Sequence, residues 1–135
     1  STVVSRLLSP RFATALVLKK CYYDKDKITE EQINAYAYYG SLPGAAAAVS
    51  RTAKQVVPDD FGAFIEKYKT ITAPVLVIWG VEDEVVPLSV GRNFKRDIPG
   101  AKLVILPKCG HIPPEEEPLA TRQAIEAFLN KGSGT

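Results

Sequence analysis

Two uninterrupted apolar runs, residues 75–79 and residues 103–106, constrain the fold of this chain more than any other feature. Neither run alternates with polar residues, and continuous apolar runs are typical of parallel strands that are covered on both faces. Between the runs, Pro87 can open a helix, and Pro99 with Gly100 can end it. The sequence therefore predicts an α/β fold in which short parallel β-strands are flanked by helices.

The segment before the first run carries helical signals instead. Thr29 and Gln32 have the spacing of a capping box, and Gly40 can end that helix in the left-handed conformation. Further helices are predicted over residues 11–23 (where a strand is the alternative), from Pro43 to about residue 55, after Asp59 or Asp60, from Pro87 to about residue 97, and over residues 119–130. The chain therefore divides near residue 70, into a helical segment of residues 1–70 and a strand-containing segment of residues 71–135.

Composition excludes several classes of partner. The 135 residues carry a formal net charge of +2 with scattered lysines and arginines, which argues against nucleic acid and anionic membranes as partners. No apolar stretch approaches the roughly 20 residues of a membrane span. Cys21 and Cys109 form no disulfide framework and predict a reducing, cytoplasmic location. No cofactor is expected.

Ionisable side chains follow both apolar runs. Glu82, Asp83 and Glu84 come after the first run, and His111, the only histidine, comes after the second. The carboxyl ends of parallel strands meet at one edge of the sheet, where such side chains can approach each other. A carboxylate could hold one ring nitrogen of His111 as N–H while the other nitrogen accepts a proton. The position of the strands alone leaves open which of the three carboxylates lies within hydrogen-bond distance of His111.

Three alternative arrangements of chemical groups are weaker. Cys109 and His111 could form a nucleophilic pair, but two residues so close in one loop rarely aim at a common point. A metal site from Cys21, Cys109, His111 and Asp83 has no ligand-spacing pattern. The residues around Ser89 match only half of the nucleophile-turn motif. They follow a loop rather than a strand, which favours a position for Ser89 early in a helix.

The remaining polar and aromatic clusters have two possible roles. The run Glu115–Glu117 is interpreted as a solvated helix start, where carboxylates suit the helix dipole. The aromatic residues of the first segment could line an apolar substrate pocket, but we expect most of them to pack the helices together. These residues are Tyr22, Tyr23, Tyr36, Tyr38, Tyr39, Phe61 and Phe64.

Together these motifs resemble the C-terminal part of the α/β-hydrolase fold superfamily. The matching stretches are residues 73–87, Gly110-His111, Pro113, Glu117-Pro118 and Phe128-Leu129, and the pattern is most similar to epoxide hydrolases, dehalogenases, meta-cleavage-product hydrolases and carboxylesterases. The resemblance is strong over residues 71–130. It is weaker over residues 1–70, which resemble the helical cap, or lid, of that family.

The resemblance implies a catalytic acid and a catalytic base. Asp83 stands three residues after the glycine that ends the penultimate strand, which is the family's position for the acid. We therefore expect Asp83 to lie within hydrogen-bond distance of His111, with Glu82 and Glu84 turned to solvent. His111, in the Gly-His pair, is at the position of the base. The implied reaction is hydrolysis of an ester, epoxide, carbon–halogen or carbon–carbon bond in a small apolar substrate.

A nucleophile motif of the form Gly-x-Ser-x-Gly does not occur in these 135 residues. We therefore expect the chain to be the C-terminal portion of such a hydrolase, and to be inactive by itself. The alternative is a non-catalytic globular or interaction module derived from the same fold. In either case the strand at residues 75–79 would lack a neighbour on one side, so we expect self-association, through that exposed strand edge or by exchange of the helical segment.

Overall fold

Two short parallel strands lie where the apolar runs predict them. In the computed structural model, which describes residues 9–56 and 58–130, strand β1 spans Leu76–Gly80 and strand β2 spans Lys102–Leu106. They pair in parallel, with Leu76 opposite Lys102 and Gly80 opposite Leu106. The predicted α/β fold is confirmed, and the strand bounds differ from prediction by one residue.

The strands are surrounded by helices. These are α1 (Pro10–Cys21), α2 (Glu30–Ser41), α3 (Ala45–Val56), α4 (Phe61–Tyr68), α5 (Leu88–Asp97), α6 (Pro113–Glu116) and α7 (Pro118–Asn130), with a short 3₁₀ turn at Lys25–Lys27. Residues 11–23 are thus helical to position 21, and the strand alternative there is wrong. Helix α5 links β1 to β2, as the proline and glycine positions predict. Among the described residues, no helix is both long and apolar enough to cross a membrane.

The start of α2 is confirmed, but its predicted end is not. Thr29 Oγ1 accepts a bond from the Gln32 N–H at 3.1 Å, and Gln32 Oε1 accepts one from the Thr29 N–H at 2.9 Å. The helix continues through Gly40 and ends at Ser41, because the backbone becomes extended only at Leu42. Leu42 precedes a proline, which disfavours helical angles, and it is extended with ψ 147°. The left-handed glycine of this turn is Gly44, with φ 84°.

The other two helices of the first segment begin close to their predicted positions. Helix α3 starts at Ala45, two residues after Pro43. Asp60, rather than Asp59, caps α4, since its Oδ1 accepts a bond from the Ala63 N–H at 2.9 Å. The division of the chain near residue 70 stays a prediction.

Burial is concentrated around the junction between α1 and the strand-containing segment. Leu18, Cys21 and Tyr22 form a buried cluster against which Ile28, Ile33 and Ile112 pack. The expectation that most aromatic residues of the first segment pack its helices together is wrong, because of those named above only Tyr22 is buried. Tyr38 and Tyr39, for example, are 62% and 66% exposed. None of the residues of α2, α3 and α4 is buried.

Candidate functional site

Two glycines allow three backbone segments to approach each other at the carboxyl end of the sheet. A Cβ atom on Gly80, the last residue of β1, would collide with the carbonyl oxygens of Cys109 and Gly110. A Cβ atom on Gly110 would collide with the Cys21 carbonyl and lie 2.9 Å from the Tyr23 nitrogen. Only glycine fits at both positions, and their packing brings the end of α1 and the end of β1 to the loop that carries His111.

Asp83 is held in its loop by backbone donors. Its Oδ1 accepts bonds from the N–H groups of Val85 and Val86, both at 2.8 Å. The Trp79 indole N–H donates to the Val86 carbonyl at 3.1 Å, which attaches the loop to β1. The Asp83 side chain is only 4% exposed. One carboxylate oxygen therefore fixes the loop, and the other is free for a further partner.

That partner is His111. Its Nδ1 lies 2.8 Å from Asp83 Oδ2, which confirms the predicted distance. When Nδ1 carries the proton that it donates to this carboxylate, Nε2 is the nitrogen that can accept another proton. The His111 side chain is 37% exposed. The pair thus has a buried carboxylate behind an imidazole that reaches an open surface.

A small pocket opens beside the pair, where a molecule could approach the imidazole. Apolar side chains from β1 and from the start of α6 form part of its wall. Its lining residues are Ile78, Trp79, Gly80, Asp83, Gly110, His111 and Pro113. The lining therefore combines apolar side chains with the polar Asp83–His111 pair.

The expectation for the two glutamates beside Asp83 is half right. Glu84 is exposed and pairs with Lys20 at 3.0 Å, an interaction that lowers the pKa of the Glu84 carboxyl. Glu82 does not turn to solvent: its Oε2 accepts a bond from the Cys109 N–H at 3.1 Å. Its own N–H donates to the Cys109 carbonyl at 3.0 Å. Glu82 therefore joins the acid-bearing loop to the histidine-bearing loop.

The interpretation of Glu115–Glu117 as a solvated helix start is wrong at its centre. Glu116 is only 2% exposed, and its two carboxylate oxygens accept bonds from the N–H groups of Asp24 and Gly110, each at 2.7 Å. A buried carboxylate needs such donors, and here backbone groups of two loops supply them. A run of three identical acidic residues gives no signal of which one is buried, so sequence reasoning missed this residue.

Glu115 also has partners in the first segment. Its carboxylate accepts a bond from the Tyr22 hydroxyl at 2.8 Å, one from the Gln32 side-chain amide at 3.3 Å, and one from the Tyr36 hydroxyl. Burial, together with the bond to Glu115, raises the pKa of Tyr22 above its ordinary range. The bond to the same carboxylate raises the pKa of Tyr36 to about 12. Helix α2 is therefore attached through this network to the start of α6.

The weaker chemical alternatives find little support among the described residues. Cys109 is fully buried, and desolvation raises the pKa of its thiol to about 12, which disfavours the reactive thiolate. Ser89 lies in the first turn of α5, as the sequence suggests. Within residues 9–56 and 58–130, no group of three or more His, Cys, Asp or Glu side chains has an arrangement that could hold a metal ion.

Comparison with known proteins identifies the family of this chain. Residues 17–118 match the family model described as the alpha/beta hydrolase fold. The chain belongs to this family. It is 32% identical over 107 residues to the "Uncharacterized hydrolase YugF" of Bacillus subtilis, a match that covers 79% of this chain and 38% of that protein.

Two further similar proteins are also named hydrolases. It is 31% identical over 112 residues to a 2-hydroxy-6-oxononadienedioate/2-hydroxy-6-oxononatrienedioate hydrolase of Cupriavidus pinatubonensis, covering 79% of this chain and 37% of that enzyme. A crystal structure of a serine hydrolase involved in carbazole degradation superimposes with a TM-score of 0.78 and 26% identity, covering 89% of this chain and 47% of the other. The chain thus spans less than half the length of each of these relatives, and the resemblance to meta-cleavage product hydrolases is confirmed.

Proposed function

We propose that this chain supplies the acid and the base of a serine-type hydrolase active site, with Asp83 as the acid and His111 as the base. The observation that carries the proposal is the 2.8 Å contact between His111 Nδ1 and an Asp83 carboxylate whose other oxygen is already held by two backbone N–H groups. A carboxylate so fixed keeps the imidazole in one tautomer and stabilises its protonated form.

In the proposed mechanism His111 acts through Nε2. This nitrogen takes the proton of an attacking hydroxyl group and later returns it to the leaving group. Asp83 stays ionised and favours the imidazolium that forms between these steps. The exposed face of His111 and the adjacent pocket are where nucleophile and substrate would meet.

The nucleophile and the oxyanion-binding groups are proposed to come from residues outside these 135. The motif Gly-x-Ser-x-Gly does not occur in the sequence, and the serine hydrolase of the carbazole pathway extends over about twice the length matched here. A serine is favoured over an aspartate because that relative is described as a serine hydrolase. The proposed substrate is a small, partly apolar molecule with an ester bond or a related hydrolysable bond, since Ile78, Trp79 and Pro113 form part of the pocket wall.

A chimera tests this proposal. This chain replaces the matching segment of the Cupriavidus pinatubonensis hydrolase, which provides the remaining part of the fold. We expect the chimera to hydrolyse the substrate of that enzyme, and His111→Ala or Asp83→Ala to reduce kcat by about 10²-fold or more, the size of a lost general base. Glu84→Ala, in the same loop but facing solvent, is the matched control and should keep the activity.

Two results would contradict the proposal. A folded chimera without turnover would favour the alternative, a non-catalytic module with the same fold. An active chimera that is indifferent to His111→Ala would remove the base from its proposed role.

The 135-residue chain alone should hydrolyse p-nitrophenyl esters no faster than free imidazole does, and turnover that disappears on replacing Ser89 or Cys109 would point to a nucleophile within it.

A further inference from the structure

The loop that carries the histidine is fixed by acceptors from three different parts of the chain. We name residues 109–111 the His loop. Its first N–H group donates to Glu82 Oε2 at 3.1 Å, its second to Glu116 Oε2 at 2.7 Å, and its third to the Cys21 carbonyl at 2.6 Å. Consecutive N–H groups that are bound in this way leave the loop little freedom to shift.

Among these acceptors, Glu116 combines burial with a charge. It is 2% exposed, and its second oxygen accepts the Asp24 N–H at 2.7 Å, so one carboxylate joins the His loop to the segment that follows α1. Hydrogen bonds to an ionised acceptor are short and roughly twice as strong as neutral ones. A buried charge held by two such bonds would be costly to leave unsatisfied, and this cost keeps both loops in place.

The neighbouring glutamates cannot take over this task. Glu115 faces the hydroxyl groups of Tyr22 and Tyr36, on the side of α2. Glu117 pairs with the Lys27 ammonium group near the surface, with side chains that are about one-third exposed on both partners. Three consecutive carboxylates therefore have three separate sets of partners, and only the middle one contacts the His loop.

We propose that Glu116 is a positioning residue for His111, a proposal that rests on the function proposed above. Its carboxylate binds the N–H of Gly110, one peptide unit before His111, and so sets the distance between the imidazole and Asp83. Misplacement by about 1 Å in a catalytic arrangement can cost 10²-fold in rate. Glu116 acts through His111 and does not itself contact the substrate pocket, whose lining residues do not include it.

The single histidine makes a direct test possible, because every imidazole signal in an NMR spectrum of this chain belongs to His111. The readout is the Nδ1–H proton, which is observed when it is hydrogen-bonded to Asp83 and protected from exchange. In Glu116→Gln one side-chain oxygen becomes an NH₂ group, which must face the N–H of either Gly110 or Asp24 as donor against donor. We expect the Nδ1–H signal to be lost, or its exchange with water to be at least about tenfold faster.

Glu117→Gln is the matched control. It removes the same charge one residue away but breaks only the surface pair with Lys27, so the Nδ1–H signal should keep its wild-type position and exchange rate. Glu116→Gln that lowers the midpoint of thermal unfolding while leaving the Nδ1–H signal of the folded chain unchanged would make Glu116 a structural residue only. That result overturns the proposal.

Asp83→Ala separates this inference from the proposed function. If Asp83→Ala leaves the Nδ1–H signal unchanged, the acid–base pair itself is absent and the proposed function fails. If Asp83→Ala removes the signal but Glu116→Gln behaves like Glu117→Gln, only the positioning role fails.

Native-state hydrogen exchange of the unmodified chain gives a further test that does not depend on whether a variant folds. The backbone N–H groups of Gly110 and Asp24 share the Glu116 carboxylate, and we expect both to be protected and to exchange at similar rates. Exchange of the Gly110 N–H at the rate of an exposed amide would overturn the proposal.

Discussion

The two halves of the helical segment have very different relations to the site. Helices α1 and α2 and the turn between them are tied to the strand-containing segment by backbone and side-chain bonds, from Cys21 to His111, from Asp24 to Glu116 and from Tyr36 to Glu115. Helices α3 and α4 bury none of their residues, which is also true of α2, but among the described residues no side-chain hydrogen bond links α3 or α4 to that segment. Val49 and Phe61, for example, are 69% and 61% exposed. Helix α4 meets the strand-containing segment through the Tyr68 ring, whose centroid lies 5.4 Å from that of Phe94.

This difference shows that the first helices form part of the support of the site, whereas α3 and the start of α4 present apolar side chains on an open surface. Polar networks that are fully satisfied fix a unique geometry. Apolar side chains on an uncovered face, by contrast, contribute little to the stability of the fold, because they stay in contact with water. Substitutions of the bonded residues in α1, α2 and the His loop should therefore have large effects, and substitutions in α3 small ones.

The largest effect is expected from Gly110→Ala. The added Cβ meets the Cys21 carbonyl and the Tyr23 nitrogen, which are backbone atoms and cannot rotate away. We expect a loss of about 3 kcal/mol or more in the free energy of unfolding, at the upper end of the cost of overpacking. Urea denaturation followed by circular dichroism measures it.

Gly40→Ala is the matched control for that change. Gly40 lies inside α2, and a Cβ there meets nothing within 4 Å. Because glycine is unfavourable in a helix interior, alanine should stabilise the chain by about 0.5–1 kcal/mol. Equal effects of the two substitutions would mean that the close approach of α1 to the His loop does not exist in solution.

The next effect in size concerns the glutamates on either side of Asp83. Glu82→Ala leaves the Cys109 N–H without its acceptor, which should cost about 1–2 kcal/mol. Glu84→Ala removes only an exposed pair with Lys20 and should change the free energy of unfolding by less than about 0.5 kcal/mol. Urea denaturation measures the free energy of unfolding of both variants. A larger loss for Glu84→Ala than for Glu82→Ala would contradict the bond between Glu82 and the His loop.

A third prediction concerns alkaline pH, at which the free energy of unfolding should fall. Burial raises the pKa of the Cys109 thiol from 9.0 to about 12, and the bond to Glu115 raises the pKa of Tyr36 from 10.0 to about 12. The unfolded chain loses these protons at lower pH than the folded chain. Their stabilisation is therefore complete below about pH 9 and is lost as the pH rises towards 12.

Urea denaturation at a series of pH values measures this slope. Cys109→Ala removes the titrating thiol, so the free energy of unfolding should fall less steeply between pH 9 and pH 12 than in the wild-type chain. A slope unchanged by this substitution would show that the Cys109 thiol is already accessible to water in the folded state.

The sequence predicts the parts of this site that depend on local pattern. The strands follow from continuous apolar runs, the start of α2 from Thr29 and Gln32, and the approach of Asp83 to His111 from their places after two parallel strands. These features can be predicted from residues that are close together in the sequence, or from the rule that parallel strands end at one edge of the sheet.

The burial of Glu116 and the position of Glu82 depend instead on distant backbone donors. Those donors belong to loops whose paths no local pattern specifies. The exposure of the aromatic residues in α2 and α4 was missed for a related reason. Packing depends on which surface lies opposite a side chain, and an apolar residue type does not say whether such a surface is present.

The smallest effect on stability is expected in α3. Val49→Lys places a charge on a side chain that is already 69% exposed, and it should change the free energy of unfolding by less than about 0.5 kcal/mol. The same variant tests how the chain self-associates, which we propose to occur through the edge of β1 that β2 does not cover. Sedimentation velocity over a range of concentrations should then show the same association for Val49→Lys as for the wild-type chain. Association that disappears in Val49→Lys would assign the contact to the apolar face of α3, and a wild-type chain that stays monomeric would contradict self-association altogether.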